Sequence, residues 1–161
     1  MHQTRIARTR ENMTRMGLSQ IVISAPLSIY YLTGIYVQPM ERMLALYLDD
    51  SGRCMLYGNA LFGLSEQAGI TLRVHSDSDN PVAQLAQDIR PGKLGVDKDW
   101  PSRFLIGLME SRPDMTPVLG SAPVDEARMH KDAEEIAAMR SASRINDQVI
   151  TQTIGAIRAG I

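Results

Sequence analysis

The sequence has 161 residues, 44% of them apolar, and its 17 basic and 18 acidic side chains give a formal net charge of −1. This length fits one domain that can bury a sizeable core. Because the charges are interspersed, we predict no strip of positive potential for a phosphate backbone or an anionic membrane. We therefore expect neither nucleic acid nor a membrane as a partner.

Cysteine usage and the amino terminus predict a cytoplasmic protein. The single cysteine, Cys54, cannot form an intramolecular disulfide, and its apolar neighbours favour a buried, inert thiol. No apolar run approaches the about 20 residues that span a bilayer. The first 13 residues also lack the apolar stretch of a signal peptide.

The first half of the chain predicts two helices, a strand and a hairpin. Gly17 and Gly34 are suited to end helices, and Asp-Asp-Ser-Gly at residues 49–52 is strong turn chemistry between two apolar runs. The predicted elements are a helix over residues 4–16, a strand over 20–24, a short helix from Pro26 through Tyr31, and hairpin strands over 43–48 and 53–57.

The second half alternates strands and helices. The predicted elements are a helical stretch over residues 60–69, a strand over 71–75, a helix over 82–90, a strand over 93–97, a helix over 101–112 and a strand over 116–119. Alternation with short connections, together with the antiparallel hairpin, indicates an α/β fold with a mixed β-sheet flanked by helices.

A long helix is predicted at the carboxyl end. Asp132 and Glu135 form a capping box, and apolar residues then recur at helical spacing through residues 133–158. Such a helix would span about 40 Å, more than a domain of this size needs for its own packing. We expect part of it to belong to a further domain, because the chain stops at residues 160–161 without a polar tail.

Four sets of acidic and histidine residues are candidate metal ligands: Asp49 with Asp50, His75 with Asp77 and Asp79, Asp97 with Asp99, and His130 with Glu134. Each has a simpler structural explanation. The first suits the hairpin turn, the second a loop before Pro81, and the third capping of the next helix. His130 would lie outside the long helix. We therefore predict no metal site in this chain.

Local catalytic motifs are absent from the sequence. It has no Gly-x-Ser-x-Gly nucleophile elbow, and the glycines at positions 92 and 95 are not arranged as a phosphate-binding loop. We predict that this chain carries no catalytic residues.

Several ordered phrases do carry a resemblance. Residues 26–34 read Pro-Leu-Ser-Ile-Tyr-Tyr-Leu-Thr-Gly, followed by Glu41-Arg42, then Gly-Lys-Leu-Gly-Val-Asp at 92–97 and Met-His-Lys-Asp-Ala-Glu-Glu-Ile-Ala-Ala-Met-Arg-Ser-Ala at 129–142. In this order they resemble the N-terminal domain of the creatinase/prolidase/aminopeptidase P family. The resemblance implies a ribonuclease H-like N-terminal domain over residues 1–130, and a linker helix with the start of a missing catalytic pita-bread domain over 131–161.

The resemblance also implies a function. The parent protein would be an Xaa-Pro dipeptidase or aminopeptidase, a homodimer whose catalytic domain holds two divalent metal ions (Mn, Co or Zn) and cleaves proline-containing dipeptides. This chain would support assembly, and its loop over residues 35–42 would reach the partner's active site. There Arg42 would bind a substrate carboxylate, with Gln38, Met40 and Tyr36 as pocket walls. Equally, Arg42 could be a surface charge paired with Glu41 or a strand-end residue.

Two alternatives stay open at this point. The chain could be the N-terminal domain of a creatinase- or ectoine-hydrolase-like amidohydrolase, because such domains hardly separate these reactions. It could also be a catalytically silent assembly module whose long helix pairs with another chain.

Overall fold

The computed structural model describes residues 2–158 and 160. The chain divides into two compact units, with the boundary after Arg128. The first unit contains one six-stranded sheet, and the second contains one long helix. Of the predicted segment 131–161, residues 159 and 161 lie outside the described residues.

The sheet is mixed, with strand order β4-β3-β2-β1-β5-β6. Strands β1, β2 and β3 pair antiparallel, whereas β4 is parallel to β3, and β5 and β6 continue parallel to β1. The strands are β1 Gln20–Ile23, β2 Ala45–Asp49, β3 Cys54–Asn59, β4 Thr71–His75, β5 Gly92–Val96 and β6 Met115–Leu119.

Helices cover both faces of the sheet. The helices are α1 Gln3–Arg15, α2 Pro26–Thr33, α3 Pro81–Asp88, α4 Ser102–Ser111, α5 Ala122–Met129 and α6 Ala133–Ala156. Apolar residues of α1, α2 and α5 share one buried cluster, and those of α3 and α4 share a second. The first unit is therefore a three-layer structure with a core on each side of the sheet.

Strand alternation explains the two cores. Successive side chains of a strand point to opposite faces. Ile21 and Ile23 accordingly join the cluster under α1 and α2, whereas Val22 joins the cluster under α3 and α4. Since all four residues of β1 are buried, this strand lies at the centre of the sheet.

The predicted fold class is confirmed. The sheet is mixed, it is flanked by helices, and β2 and β3 form the predicted antiparallel hairpin. Pro26 begins α2, and Gly34 ends it with a left-handed φ of 78°.

The helix predicted over residues 60–69 is wrong. Only a single 3₁₀ turn forms, over Ala60–Phe62, and Gly63 ends it with a φ of 61°. The Asn59 side chain accepts a hydrogen bond from the Leu61 N–H, which satisfies a short turn without requiring a longer helix. The structure also contains α5, which the sequence reasoning did not predict.

The second unit contains α6. The Asp132 carboxylate accepts from the Glu135 N–H at 2.9 Å, and the Glu135 carboxylate accepts from the Asp132 N–H at 3.0 Å. This is the predicted capping box. Within the described part of the chain, we find no helix with the length and apolar content needed to cross a membrane.

Candidate functional site

The candidate site lies where the sheet changes direction. Strand β1 has an antiparallel neighbour, β2, on one side and a parallel neighbour, β5, on the other. At such a switch point the loops that follow adjacent parallel strands separate and leave a crevice beyond the carboxyl ends of those strands. The segments that follow β1 and β5 and the loop that precedes β2 meet there.

Asp97, the first residue after β5, holds the two strand ends together. Its Oδ2 accepts hydrogen bonds from the backbone N–H groups of Ser24 and Ala25, each at 2.9 Å. Its Oδ1 accepts from the Ser121 hydroxyl at 2.9 Å. Asp97 is only 7% exposed, so these bonds supply the partners that a buried carboxylate needs. It fixes the turn between β1 and α2.

The prediction that Asp97 caps the following helix is therefore wrong. The N-cap residue of α4 is Pro101, and no side chain caps that helix. The Asp97 carboxylate instead crosses to the neighbouring parallel strand, a contact between residues more than 70 positions apart in the sequence.

Arg42 is held by two acidic side chains. Its Nε and Nη2 donate to the two carboxylate oxygens of Asp77, both at 2.8 Å, and its Nη1 donates to Glu41 at 2.7 Å. Asn59, which is 2% exposed, donates a further hydrogen bond to Asp77. The bond to Asp77 raises the pKa of Arg42, and the same bond lowers the pKa of the Asp77 carboxyl. The guanidinium is thus fixed in one orientation.

The structure shows the pairing with Glu41 that the sequence left open, and the substrate role of Arg42 stays a prediction. A guanidinium has five N–H donors. Asp77 and Glu41 use three of them. The Glu41 carboxylate is 63% exposed, so an incoming carboxylate can displace it without disturbing the bond to Asp77.

The loop before Arg42 presents an apolar side chain in an uncommon backbone conformation. Met40 has a φ of 53° and is 80% exposed. A positive φ costs an ordinary L-residue about 1 kcal/mol or more, and such residues concentrate at functional sites. Earlier in the loop, Gln38 donates to the Tyr36 hydroxyl at 2.6 Å, and the Tyr36 ring stacks edge-on against Tyr30.

A cavity of about 420 Å³ opens beside this loop. Three of the four predicted site residues line it, namely Gln38, Met40 and Arg42, while Tyr36 does not. Ser24 after β1 and the segment between β5 and α4, which includes Trp100, also line the cavity. The structure therefore brings most of the predicted residues to one concave surface and adds residues that were not predicted.

The candidate ligands in the hairpin turn and in the loop before Pro81 have structural partners, as predicted. Asp49 accepts hydrogen bonds from the backbone and hydroxyl of Ser51. Asp79 accepts equivalent bonds from Ser76. A ring nitrogen of the buried His75 lies 3.2 Å from a backbone carbonyl oxygen. The Asp49 and Asp79 carboxylates therefore stabilise a turn and a loop through hydrogen bonds.

The described residues do not fit a metal pair. Among residues 2–158 and 160, no three His, Cys, Asp or Glu side chains lie close enough together to hold a metal ion. Cys54 is buried, and burial raises its pKa to about 11, so its thiol is protonated at neutral pH and is a poor nucleophile.

Sequence reasoning did not identify Ser24, Asp77, Asn59 or Trp100 as part of the site. The signals for Ser24 and Trp100 were available. Ser24 is the last residue of one predicted strand and Trp100 follows another, and residues at the ends of adjacent parallel strands meet. The contact between Asp77 and Arg42 could not be predicted in this way. Asp77 lies in an exposed loop, where no helical or strand periodicity indicates its position.

Comparisons with known proteins give a consistent result. The putative dipeptidase YkvY of Bacillus subtilis (strain 168) is 24% identical over 166 residues, covering 98% of this chain and 46% of that protein. A dipeptidase structure from Pyrococcus horikoshii OT3 matches 98% of this chain and 45% of its own, with a TM-score of 0.87 and 24% identity. A recombinant prolidase from Thermococcus sibiricus matches 99% of this chain and 46% of its own, with a TM-score of 0.85 and 23% identity.

These relatives extend well beyond the part that is similar, because the chain spans less than half of the length of each. Residues 5–130 match the family described as the Creatinase/Prolidase N-terminal domain. This match covers most of the first unit, including the sheet, the Arg42 loop and the cavity. The chain belongs to the creatinase/prolidase N-terminal domain family.

Proposed function

We propose that this chain is the non-catalytic N-terminal domain of a cytoplasmic Xaa-Pro dipeptidase or aminopeptidase that acts as a homodimer. In this proposal the chain supports assembly and caps the active site of the partner subunit, and the reaction takes place in a separate catalytic domain. The family membership and the dipeptidase and prolidase relatives support the reaction class. The chain spans only 46% of the Bacillus subtilis relative, so the remainder of that relative is long enough to contain a catalytic domain.

The observation that carries the proposal is the construction of the loop over residues 35–42. Met40 is exposed in a strained backbone conformation, two residues before a guanidinium that Asp77 holds in place. A loop that only connected α2 to β2 would gain nothing from either feature. Together they present an apolar surface and a cation, which suits a small substrate with an apolar ring and a carboxylate.

The proposed enzyme would hold two divalent metal ions, either Mn, Co or Zn, in its catalytic domain. Two divalent ions can activate water and stabilise the developing charge during amide hydrolysis. This chain would contribute binding and orientation only, through Arg42 on the carboxylate and through Gln38, Met40 and Tyr36 along the sides of the substrate.

The exposed apolar side chains of α6 support the proposal that this helix contacts a further domain. Several large apolar side chains on this helix are between 49% and 64% exposed: Met139, Ile145, Val149, Ile150 and Ile154. An apolar surface of this kind is typical of an interface. The same surface favours a second candidate, an assembly module in which α6 pairs with another chain.

The test compares arginine variants in the longer protein that includes the catalytic domain. Arg42→Lys keeps the positive charge but loses the planar fork that binds a carboxylate with two hydrogen bonds. We expect its KM for an Xaa-Pro dipeptide to rise about 10- to 100-fold, the loss expected for a charged hydrogen bond, with a smaller change in kcat. Arg73→Lys, on the exposed edge strand β4, is the matched control and should leave KM unchanged.

An unchanged KM in Arg42→Lys would contradict the substrate role of this loop. Hydrolysis of a creatine or ectoine derivative, with no activity on Xaa-Pro dipeptides, would favour the amidohydrolase alternative instead.

A further inference from the structure

Arg42 and its neighbour in sequence are both bonded to the end of β4. The Arg42 guanidinium donates two hydrogen bonds to the Asp77 carboxylate, each at 2.8 Å. The backbone carbonyl oxygen of Met43 lies 3.2 Å from Nε2 of His75, the last residue of β4. A carbonyl oxygen can only accept, so the His75 ring donates this bond. Met43 and His75 are both buried, which makes their contact a fixed support for the exposed pair beside it.

Asn59 holds the Asp77 carboxylate from the buried end of β3. Its Oδ1 accepts a hydrogen bond from the Leu61 N–H at 3.0 Å, and its Nδ2 donates to Asp77 Oδ1 at 2.8 Å. Because the amide oxygen is bonded to Leu61, the NH₂ group is the side that faces Asp77. Asn59 is itself buried and cannot turn towards solvent. The Asp77 carboxylate therefore accepts three hydrogen bonds and is fixed before any ligand binds.

Glu41, the second carboxylate on Arg42, is held less firmly than Asp77. It accepts one hydrogen bond from the guanidinium, from Nη1 at 2.7 Å, and its side chain is 63% exposed. An exposed ion pair of this kind contributes little free energy, because solvent screens it and a flexible side chain must be ordered. The Nη1 side of the guanidinium is therefore the side that a ligand can occupy.

We propose that the two carboxylates on Arg42 have opposite roles in substrate binding. Asp77 is a positioning residue that orients the guanidinium towards the substrate carboxylate, and Glu41 is an internal competitor that occupies Nη1 until the substrate displaces it. A neutral group would gain no comparable bond by displacing Glu41, so the competitor favours substrates with a free carboxylate. This inference rests on the proposed function, in which Arg42 binds that carboxylate.

Two substitutions that each remove one negative charge test these roles in the longer protein with its catalytic domain. Repulsion alone would make both Asp77→Asn and Glu41→Gln lower the KM for a substrate carboxylate. We expect opposite effects instead. The KM for the dipeptide Ala-Pro should rise about 3- to 10-fold in Asp77→Asn, as for a lost hydrogen bond, and fall about 2- to 5-fold in Glu41→Gln, as for a lost exposed ion pair. The change in kcat should be smaller in both variants, because binding of this carboxylate is the same in the ground state and the transition state.

Asp114→Asn is the matched control. Asp114 forms the same two-bond pair with Arg112, each bond at 2.8 Å, directly before β6, which is the opposite edge of the sheet from β4. Its loss should change KM by less than about twofold. Asn59→Asp is a second test of positioning, because it places a carboxylate oxygen against Asp77 in place of the NH₂ donor. We expect it to raise KM as Asp77→Asn does, so the test does not depend on one variant folding.

A double variant separates positioning from a general structural role. If Asp77 acts through Arg42, adding Asp77→Asn to Arg42→Lys should change KM by less than about twofold, because both substitutions remove the same interaction with the substrate. A general loss of structure would instead multiply the two separate increases in KM.

The inference is overturned if Asp77→Asn leaves KM unchanged or lowers it, if Glu41→Gln leaves KM unchanged or raises it, or if the increases multiply in the double variant. A raised KM in Arg42→Lys together with an unchanged KM in Asp77→Asn would overturn this inference alone. An unchanged KM in Arg42→Lys, or no hydrolysis of Ala-Pro by the longer protein, would overturn the proposed function and this inference with it.

Discussion

Gly120 lies against the backbone of Gly95 so closely that no side chain fits between them. A Cβ on Gly120 would lie 2.4 Å from the Gly95 carbonyl carbon and 2.5 Å from its Cα. The Gly120 N–H donates to the Val96 carbonyl at 2.8 Å, so the two segments cannot separate without losing a hydrogen bond. We predict that Gly120→Ala lowers the free energy of unfolding by about 2 kcal/mol or more, measured by urea denaturation.

Gly107→Ala is the matched control for this prediction. Gly107 lies inside α4, and a Cβ there would meet the nearest atom of Val82 at 3.6 Å, an ordinary contact. Because alanine is a better helix former than glycine, we expect a gain of about 0.5 to 1 kcal/mol. Equal effects of the two substitutions would show that the close approach at Gly120 does not constrain the fold.

Asp97 should contribute strongly to stability through its three hydrogen bonds. In Asp97→Asn, an amide NH₂ would replace one carboxylate oxygen, and the negative charge that strengthens the three hydrogen bonds would be lost. We expect the free energy of unfolding to fall by about 1 to 3 kcal/mol. Asp99→Asn, an exposed residue two positions later, should change it by less than about 0.5 kcal/mol. Similar unfolding midpoints for the two variants would rule out the bridging role of Asp97.

Asp49 should contribute to the sensitivity of the fold to acid. Burial acts to raise its pKa, but the hydrogen bonds from Ser51 and Arg53 outweigh burial and hold the pKa below its ordinary value. The lower native pKa means that Asp49 stabilises the fold above the unfolded value of about 3.9, and that this stability is lost as the pH falls through the native pKa.

The measurement for Asp49 is urea unfolding between pH 7 and pH 2. Asp49→Asn should be less stable at pH 7 and should show a weaker loss of stability below about pH 4 than the original chain. Asp50→Asn, at the neighbouring exposed turn position, should retain most of the acid sensitivity. An unchanged slope in Asp49→Asn would exclude this carboxylate as a source of it.

The strained backbone at Met40 predicts a stabilising substitution. Asparagine tolerates a positive φ better than methionine, and Met40 is 80% exposed, so little packing is lost. We expect Met40→Asn to raise the free energy of unfolding by up to about 1 kcal/mol. Met109→Asn, in the regular helix α4, should instead lower it by about 0.5 kcal/mol. A destabilised Met40→Asn would mean that the conformation carries no strain.

Local sequence patterns were sufficient for most of the fold. The capping box at Asp132, the turn at residues 49–52 and the Pro26 helix start depend on contacts a few residues apart, and all three formed as predicted. Residues 60–69 did not form the predicted helix. Their composition favours a helix, but Gly63 ends it after one turn in a left-handed conformation. Helix α5 was missed because Pro123 and its charged residues give it little apolar periodicity.

The candidate site could be predicted only in part, for a physical reason. Family phrases located the loop with Gln38, Met40 and Arg42, and these three residues do share a cavity. The partners that give the site its geometry come from distant segments. Asp77 reaches Arg42 across 35 positions, and Asp97 reaches Ser24 across 73. Such contacts follow from strand order, which the sequence pattern did not determine.

We propose that this chain is a non-catalytic N-terminal domain of a metal-dependent dipeptidase. The most direct test is hydrolysis of Xaa-Pro dipeptides in the presence of Mn²⁺ or Co²⁺, by the 161-residue chain and in parallel by the longer protein with its catalytic domain. We expect activity in the longer protein alone. Metal-dependent hydrolysis by the 161-residue chain itself would contradict it.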